Sequence, residues 1–287
     1  MIVIKKANDL HHHLEQCRER NEDIGFVPTM GALHDGHLSL LKTSLKENKL
    51  SVCSIFVNPA QFNDPTDFKK YPSTIDDDIL KLETNGCDIL FVPSVAEIYP
   101  DGFEVKKKYE LGYLDNILEG EFRPGHFQGV CMAVERLLLI VQPDKLYLGQ
   151  KDYQQCMVIR KLLDITGRST ALNICETVRE PDGLAMSSRN MRLSPVQRLT
   201  APKINKVLEY FYDHLEAGSL EDLKEYGYRE LSGNGFRVDY IEFANAENLT
   251  LTTWWDGREA LVALIAAFID DIRLIDNKIL APRPYVI

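Results

Sequence analysis

Apolar positions along this chain fall into two textures. In the first two thirds, short apolar runs rich in β-branched residues stand at Ile24–Val27, Leu50–Val57, Cys87–Val92, Lys145–Leu148 and Leu172–Cys175. Between them, apolar residues recur at helical spacing over Leu38–Glu47, Asp76–Thr84, Val130–Val141 and Tyr153–Leu163. Runs that are apolar throughout suit strands buried on both faces. Their alternation with helices predicts an α/β fold, a parallel sheet with helices on both faces. Further on, helices are predicted over Pro195–Tyr212 and Ser219–Ser232, then short strands at Val238–Phe243, Ala260–Phe268 and Ile272–Asp276. This second texture predicts a smaller α+β unit, so the chain is read as two domains, 1–177 and 178–287. The polar, glycine-containing stretch Thr177–Arg192 offers few core candidates and is read as linker and active-site loop.

Composition narrows the function classes. The 287 residues, 45% hydrophobic and 26% charged, suit an ordinary globular protein whose core needs no disulfide or metal staple. A net charge of -10 argues against sequence-independent binding to nucleic acid, which needs a positive surface. It leaves room for an anionic substrate, since a cleft can carry a local field of opposite sign. Six cysteines include no C-x-x-C pair and lie mostly in apolar runs, so free buried thiols in a reducing cytoplasm are expected, and a zinc site is not. Met1–Lys6 lacks the apolar stretch of a signal peptide, and the apolar run Ala260–Ile269 is too short to cross a bilayer. His11–His13 are read as part of a surface helix, because adjacent helical positions face different ways and make a poor chelating set.

The chemistry concentrates where strands are expected to end. Pro28-Thr29-Met30-Gly31-Ala32-Leu33-His34-Asp35-Gly36-His37 follows the first buried run and precedes a helical pattern. A helix N-terminus beyond a parallel strand presents free amides and the positive end of its dipole to an anion. Two imidazoles beside that anion can donate to phosphate oxygens and to charge that grows during phosphoryl or nucleotidyl transfer. The string is neither a Walker loop nor a dinucleotide fingerprint. Asn58 and Gln61, after the second run, are either turn residues or amides that bind a hydroxyl and a carboxylate together. Asp76, Asp77 and Asp78 either favour a helix dipole or, Asp78 foremost, hold magnesium beside a nucleotide. Glu119 and Arg123 form an ion pair, at the surface or beside a substrate. In Gly149-Gln150-Lys151-Asp152-Tyr153-Gln154-Gln155, Lys151 opposes the helix dipole unless an anion is present, and Gln155 offers a further amide. Val178–Asn190 carries Met186-Ser187-Ser188-Arg189, which suits a loop closing over a triphosphate or a linker with a helix cap.

His34-Asp35-Gly36-His37 resembles the HxGH signature of nucleotidylyltransferases and class I aminoacyl-tRNA synthetases, and Met186–Arg189 resembles its KMSKS-type counterpart. With PTMGALHDGH, FVNPAQF, RPGHFQGV, GQKDYQQ and DGLAMSSRN in order, and VDYIEFANAENL and RLIDN in the tail, the chain closely resembles the pantothenate synthetase (pantoate–β-alanine ligase) family. It departs from the family's usual residues at Ser73, where arginine is usual, and at Leu148 and Gln150, where phenylalanine and glutamate are usual. The resemblance implies a Rossmann-like domain with a smaller C-terminal lid domain, and usually a homodimer. It implies that pantoate attacks ATP to give pantoyl adenylate and diphosphate, and that β-alanine then displaces AMP. By that resemblance ATP lies along Met30, Gly31, Ala32, Leu33, His34, Asp35, Gly36 and His37, with His34 and His37 on the phosphates and His37 a candidate proton donor. Lys151, Ser187, Ser188 and Arg189 hold phosphates, while Gly149, Asp152, Val178 and Met186 surround the nucleoside, largely through backbone, and Gln150 belongs with the ATP-binding residues. Gln61 and Gln155, with Asn58, bind pantoate, and Mg²⁺ neutralises the triphosphate with Asp78 taking part. Two rival readings are a nucleotidylyltransferase acting on a phosphorylated acceptor and a catalytically idle nucleotide-binding regulator.

Overall fold

The computed structural model describes residues 1–62, 68–102 and 107–280. The chain divides into two compact units, Met1–Gln150 with Gln154–Glu176, and Lys151–Tyr153 with the chain from Thr177 onward. This differs from a single cut after residue 177 chiefly in passing Lys151–Tyr153 to the second unit.

The first unit is built on a six-stranded sheet in the order β1-β4-β3-β2-β5-β6. Its strands are β1 (Ile2–Ile4), β2 (Ile24–Thr29), β3 (Leu50–Ile55), β4 (Ile89–Phe91), β5 (Lys145–Gly149) and β6 (Ala171–Cys175), all paired in parallel. The helices are α1 (Ala7–Glu19), α2 (Asp35–Glu47), α3 (Ile75–Thr84), the short α4 (Val95–Ile98) and α5 (Glu119–Phe122), α6 (His126–Val141) and α7 (Tyr153–Thr166). The central strand β2 is apolar along its inner length because both of its faces are covered; Ile24, Phe26 and Val27 are all buried. Helix α2 turns Leu38, Leu40, Leu41 and Ser44 inward, and α1 buries Leu10, Leu14 and Cys17. His11–His13 lie on α1 with His11 ion-paired to Glu15 and His12 bonded to Gln16, as a surface helix requires. The sheet order runs outward from β2 through β3 and β4 on one side and from β5 to β6 on the other. The reversal between β2 and β5 is a topological switch point, where open α/β sheets bind ligands beyond the carboxyl ends of their strands.

The second unit carries an antiparallel sheet in the order β11-β10-β8, formed by β8 (Phe236–Asn245), β10 (Leu261–Ile269) and β11 (Ile272–Leu280). A small pair, β7 (Gly218–Ser219) with β9 (Trp254–Trp255), stands apart. The stretch expected as one helix from Pro195 to Tyr212 is two, α8 (Pro195–Thr200) and α9 (Lys203–His214). Pro202 divides them, since it has no N–H to continue the helical ladder. With α10 (Glu221–Gly233), α9 closes a core in which Val207, Leu208 and Phe211 meet Ile241, Phe243 and Ile265. The stretch Thr177–Arg192 is less bare than expected, because Leu184 joins this core and Ala185 is buried. Among the described residues no helix is long and apolar enough to cross a membrane.

Candidate active site

The first unit brings its expected residues to the carboxyl ends of β2 and β3. Thr29 closes β2, its hydroxyl donating to the Ser54 carbonyl at 2.8 Å and accepting from the Gly31 amide at 3.3 Å. The chain then turns through Gly31 (φ +81°) and Ala32 (φ +49°). His34 caps α2 in extended conformation, its carbonyl accepting from His37 and Leu38. The His34 amide donates to His37 Nδ1 at 3.4 Å, which puts the neutral ring's proton on Nε2. The two imidazole centroids lie 4.0 Å apart, so both rings stand together at the positive end of the α2 dipole. Met30, His34, Gly36 and His37 are half-buried and Asp35 is exposed, whereas Ala32 and Leu33 sit in the core.

Two expected ligand contacts change character. Asn58 is 1% exposed, and its side chain is saturated inside the protein. Nδ2 donates to Gln61 Oε1 and to the Gly129 carbonyl, both at 3.0 Å; Oδ1 accepts from the Ala60 amide and from the Tyr99 hydroxyl at 2.9 Å. Burial pushes the Tyr99 phenol well above its ordinary value, which keeps it a donor. With two donors and two acceptor sites taken, Asn58 has nothing left for a substrate and instead holds Gln61. Asp78, expected on magnesium, is also 1% exposed. Its oxygens accept from the amides of Ala32 (2.8 Å) and Leu33 (2.7 Å) and from the Thr74 hydroxyl (3.2 Å). That donor set does not suit direct ligation of a metal ion, which would compete with backbone amides for the same lone pairs.

The amides expected to meet substrate are placed differently. Gln61 donates from Nε2 to Met30 Sδ at 3.0 Å, and its carbonyl meets His126 Nδ1 at 2.8 Å. Gly129 explains part of the motif around it: a Cβ there would strike the Ala60 carbonyl and come within 2.9 Å of Gln61 Cα. Helix α6 can therefore approach the 58–61 turn only with glycine at that position. Gln155, half-buried on α7, has no hydrogen-bond partner for its side chain among the described residues. The Glu119–Arg123 pair forms at 3.5 Å, with Glu119 nearly buried rather than on an open surface. Gln154, to which no role was given, is 3% exposed and fixes the approach to α5 through Glu119 N, Leu114 O and Ile117 O.

The second unit gathers the remaining expected residues. Lys151 lies 3.3 Å from Asp152 Oδ2, and its carbonyl accepts from Asn277 Nδ2 at 2.8 Å. The Met186 amide donates to Val178 O at 3.0 Å, and the bridge between Arg179 and Ala185 folds the 178–186 segment back on itself. Ser187 caps the turn from Ser188 to Arg192, accepting from the Arg189 amide; Ser188 is buried. The ion pair beneath this segment was not anticipated. Arg179 meets Asp276 through Nη1 at 2.6 Å and Nη2 at 3.0 Å, and Nη1 also donates to the Gly183 carbonyl at 3.1 Å. Asp276 and Asn277 on β11 thus anchor the loop and Lys151 together. The tail string RLIDN was visible, but not the partner of its aspartate, 97 residues away.

The family model described as pantoate-beta-alanine ligase matches residues 2–279. A pantothenate synthetase from Cytophaga hutchinsonii is 43% identical over 285 residues, covering 98% of this chain and 99% of its own. One from Bacteroides thetaiotaomicron is 40% identical, covering 96% and 98%. The crystal structure of pantothenate synthetase from Thermus thermophilus superposes with a TM-score of 0.90 at 39% identity, covering 98% of this chain and all of that one. The pantoate-beta-alanine ligase of Francisella tularensis, complexed with β-γ ATP and β-alanine, gives 0.80 at 38% identity over 97% of each chain. From its strand-end histidines to its β11 anchor, matched along nearly its whole length, this chain belongs to the pantoate–β-alanine ligase family.

Proposed function

We propose that the chain joins pantoate to β-alanine with ATP in two steps. In the first, a pantoate carboxylate oxygen attacks the α-phosphorus of ATP, the Pα–O bond to the β-phosphate breaks, and diphosphate leaves. In the second, the β-alanine amine attacks the acyl carbon, AMP leaves with the bonding electron pair, and the nitrogen loses a proton. The carboxylate is a poor acyl donor until adenylation turns its oxygen into part of a good leaving group. Catalysis then consists of positioning and charge stabilisation.

The observation that carries this reading is the His34–His37 pair at the N-terminus of α2, beyond β2 at the switch point. His37 Nε2–H is a donor aimed at developing phosphate charge, with His34 beside it. Lys151, Ser187, Ser188 and Arg189 are proposed to hold the phosphates, Gly149, Asp152, Val178 and Met186 to surround the nucleoside, and Gln150 to contact ATP. Gln155 offers a free amide for the pantoate carboxylate or hydroxyl, and Gln61 a second one, oriented by Asn58. ATP enters as its magnesium complex; the cation is proposed to travel with the triphosphate, and no step is assigned to a protein ligand for it. Six free cysteines fit a reducing, cytoplasmic setting. Homodimeric assembly is proposed on family resemblance, and sedimentation at equilibrium tests it.

Diphosphate release from ATP and Mg²⁺ with pantoate, with and without β-alanine, tests the activity. A pantoate-dependent burst that becomes steady turnover with β-alanine, forming AMP and pantothenate, is expected. Release independent of pantoate, from folded protein that binds ATP, overturns the substrate assignment.

A further inference from the structure

We propose that Asp78 and Lys81 of α3 form a clamp that sets the backbone of the anion-binding loop, and that Asp78 is a positioning residue rather than a magnesium ligand. The proposal rests on the reading of His34 and His37 as phosphate-binding groups.

The clamp grips both polarities of the loop from one helix face. Asp78 accepts the amides of Ala32 and Leu33, at 2.8 and 2.7 Å. One turn on, Lys81 Nζ donates to the Leu33 carbonyl at 2.7 Å. Residues three apart on a helix lie on the same face, so the two side chains reach one short segment together. The carboxylate is itself braced by the Thr74 hydroxyl at 3.2 Å.

The loop needs such a grip. Gly31 and Ala32 both have positive φ, +81° and +49°, a conformation that alanine disfavours. Packing on one side is thin, because a cavity of about 320 Å³ is lined by Met30, Gly31 and Ala32 with Ser73, Thr74 and Asp78. The fit against the carboxylate is close: a Cβ on Gly31 would lie 3.1 Å from Asp78 Oδ2 and 3.1 Å from Ile55 Cγ2. Glycine there permits both the turn and the approach of the aspartate. Leu33 is followed directly by His34, the cap of α2, so any slip at Ala32 and Leu33 moves both imidazoles.

Charge-assisted hydrogen bonds from buried amides are strong enough to hold this backbone, and asparagine cannot replace the aspartate. Its single oxygen can accept one amide, but its NH₂ then faces the other amide donor to donor. Lys81 is exposed, so Lys81→Met removes only the charged donor and leaves the fold intact.

The test measures ATP affinity in EDTA by calorimetry, then adenylate formation as a function of Mg²⁺, for wild type, Asp78→Asn and Lys81→Met. In EDTA a metal ligand has no role, whereas a loop clamp still acts. Both variants are expected to bind metal-free ATP more weakly, Asp78→Asn by about 10-fold or more and Lys81→Met by a few-fold. Both are also expected to slow adenylate formation at saturating ATP while the Mg²⁺ concentration for half-maximal rate stays unchanged. Wild-type affinity in EDTA for both variants, with a raised Mg²⁺ requirement in Asp78→Asn alone, overturns the clamp in favour of metal ligation. Should Asp78→Asn fail to fold, Lys81→Met and Thr74→Val carry the same comparison, and wild-type ATP binding in both overturns the proposal. A wild-type enzyme that binds ATP but shows no pantoate dependence would refute the ligase reading and leave the clamp's binding test standing.

Discussion

The loop after β2 in the first unit and the 178–190 segment of the second are held by buried carboxylates, in opposite ways. Asp78 accepts backbone amides directly, so the carboxylate and the loop it holds are in contact. Asp276 acts through an intermediary: it pairs with Arg179, whose guanidinium then holds the Gly183 carbonyl. The first arrangement places no second charge in the interior. The second sets a buried carboxylate against a half-buried guanidinium, and removing the guanidinium leaves Asp276 with an uncompensated desolvation cost. The difference predicts that damage to the first loop appears in rate, and damage to the second in stability.

Arg179→Met should produce the larger effect. It leaves Asp276, 5% exposed, without its guanidinium; breaking a fully buried pair from one side costs about 3–5 kcal/mol, which the half-buried Arg179 makes an upper bound. Both tryptophans, Trp254 and Trp255, lie in the second unit, so fluorescence-monitored denaturation reports on that unit. Arg179→Met with Asp276→Leu should recover much of the loss, because an apolar pair of similar volume often replaces a buried ion pair at little cost. An unchanged midpoint in the single variant would break the contrast between the two loops.

His37→Ala is the matching lesion in the first unit. Adenylate formation should fall by at least ~100-fold, the scale of a lost transition-state donor, while denaturation stays near wild type. The ring is half-buried at a helix start, outside the hydrophobic cluster that Leu38, Leu40 and Leu41 of α2 join. Near wild-type turnover of the folded variant would remove His37 from the chemistry.

The same contrast marks what could be read from the sequence. Strands β2, β3 and β5 were legible because two-sided burial demands unbroken apolar runs, and α2 because its apolar period is helical. Strand β1 was not: Ile2–Ile4 is three residues at a sheet edge, with Ile2 and Val3 largely exposed. The β7–β9 pair, two residues long on each side, leaves no pattern at all. The His34–His37 pair was legible because its geometry is local, three residues apart at a helix start. The tasks of Asn58 and Asp78 were not, because the residue type allows ligand binding and backbone bracing equally. Only the direction of the side chain decides, and that is set by partners such as Gly129, 71 residues from Asn58.

Acidification offers the smallest effect and the sharpest contrast, because one carboxylate in each unit, Glu47 and Asp276, should respond with opposite signs. In the first unit Glu47, at the end of α2, is held below its ordinary value, chiefly by the Tyr147 hydroxyl and then by Lys145. Its contribution is present above the ordinary carboxylate value and is lost as pH falls through the depressed one. Glu47 is partly exposed, so solvent screens this term. In the second unit, burial raises Asp276 above its ordinary value, with the hydrogen bond and charge of Arg179, and more weakly Lys151, opposing. Between the ordinary and the raised value the native state holds a proton that the unfolded chain has lost. Lowering pH through that window therefore favours the native state by this term. Asp276→Asn removes the titration while keeping the size, so the comparison is the stability of wild type minus variant, followed by tryptophan fluorescence as pH falls from neutral. The difference should move in favour of wild type on acidification. A difference that moves the other way would mean that the guanidinium outweighs burial at Asp276. Glu47 and Asp276 would then respond with the same sign, and the contrast between the two loops would lie in geometry alone.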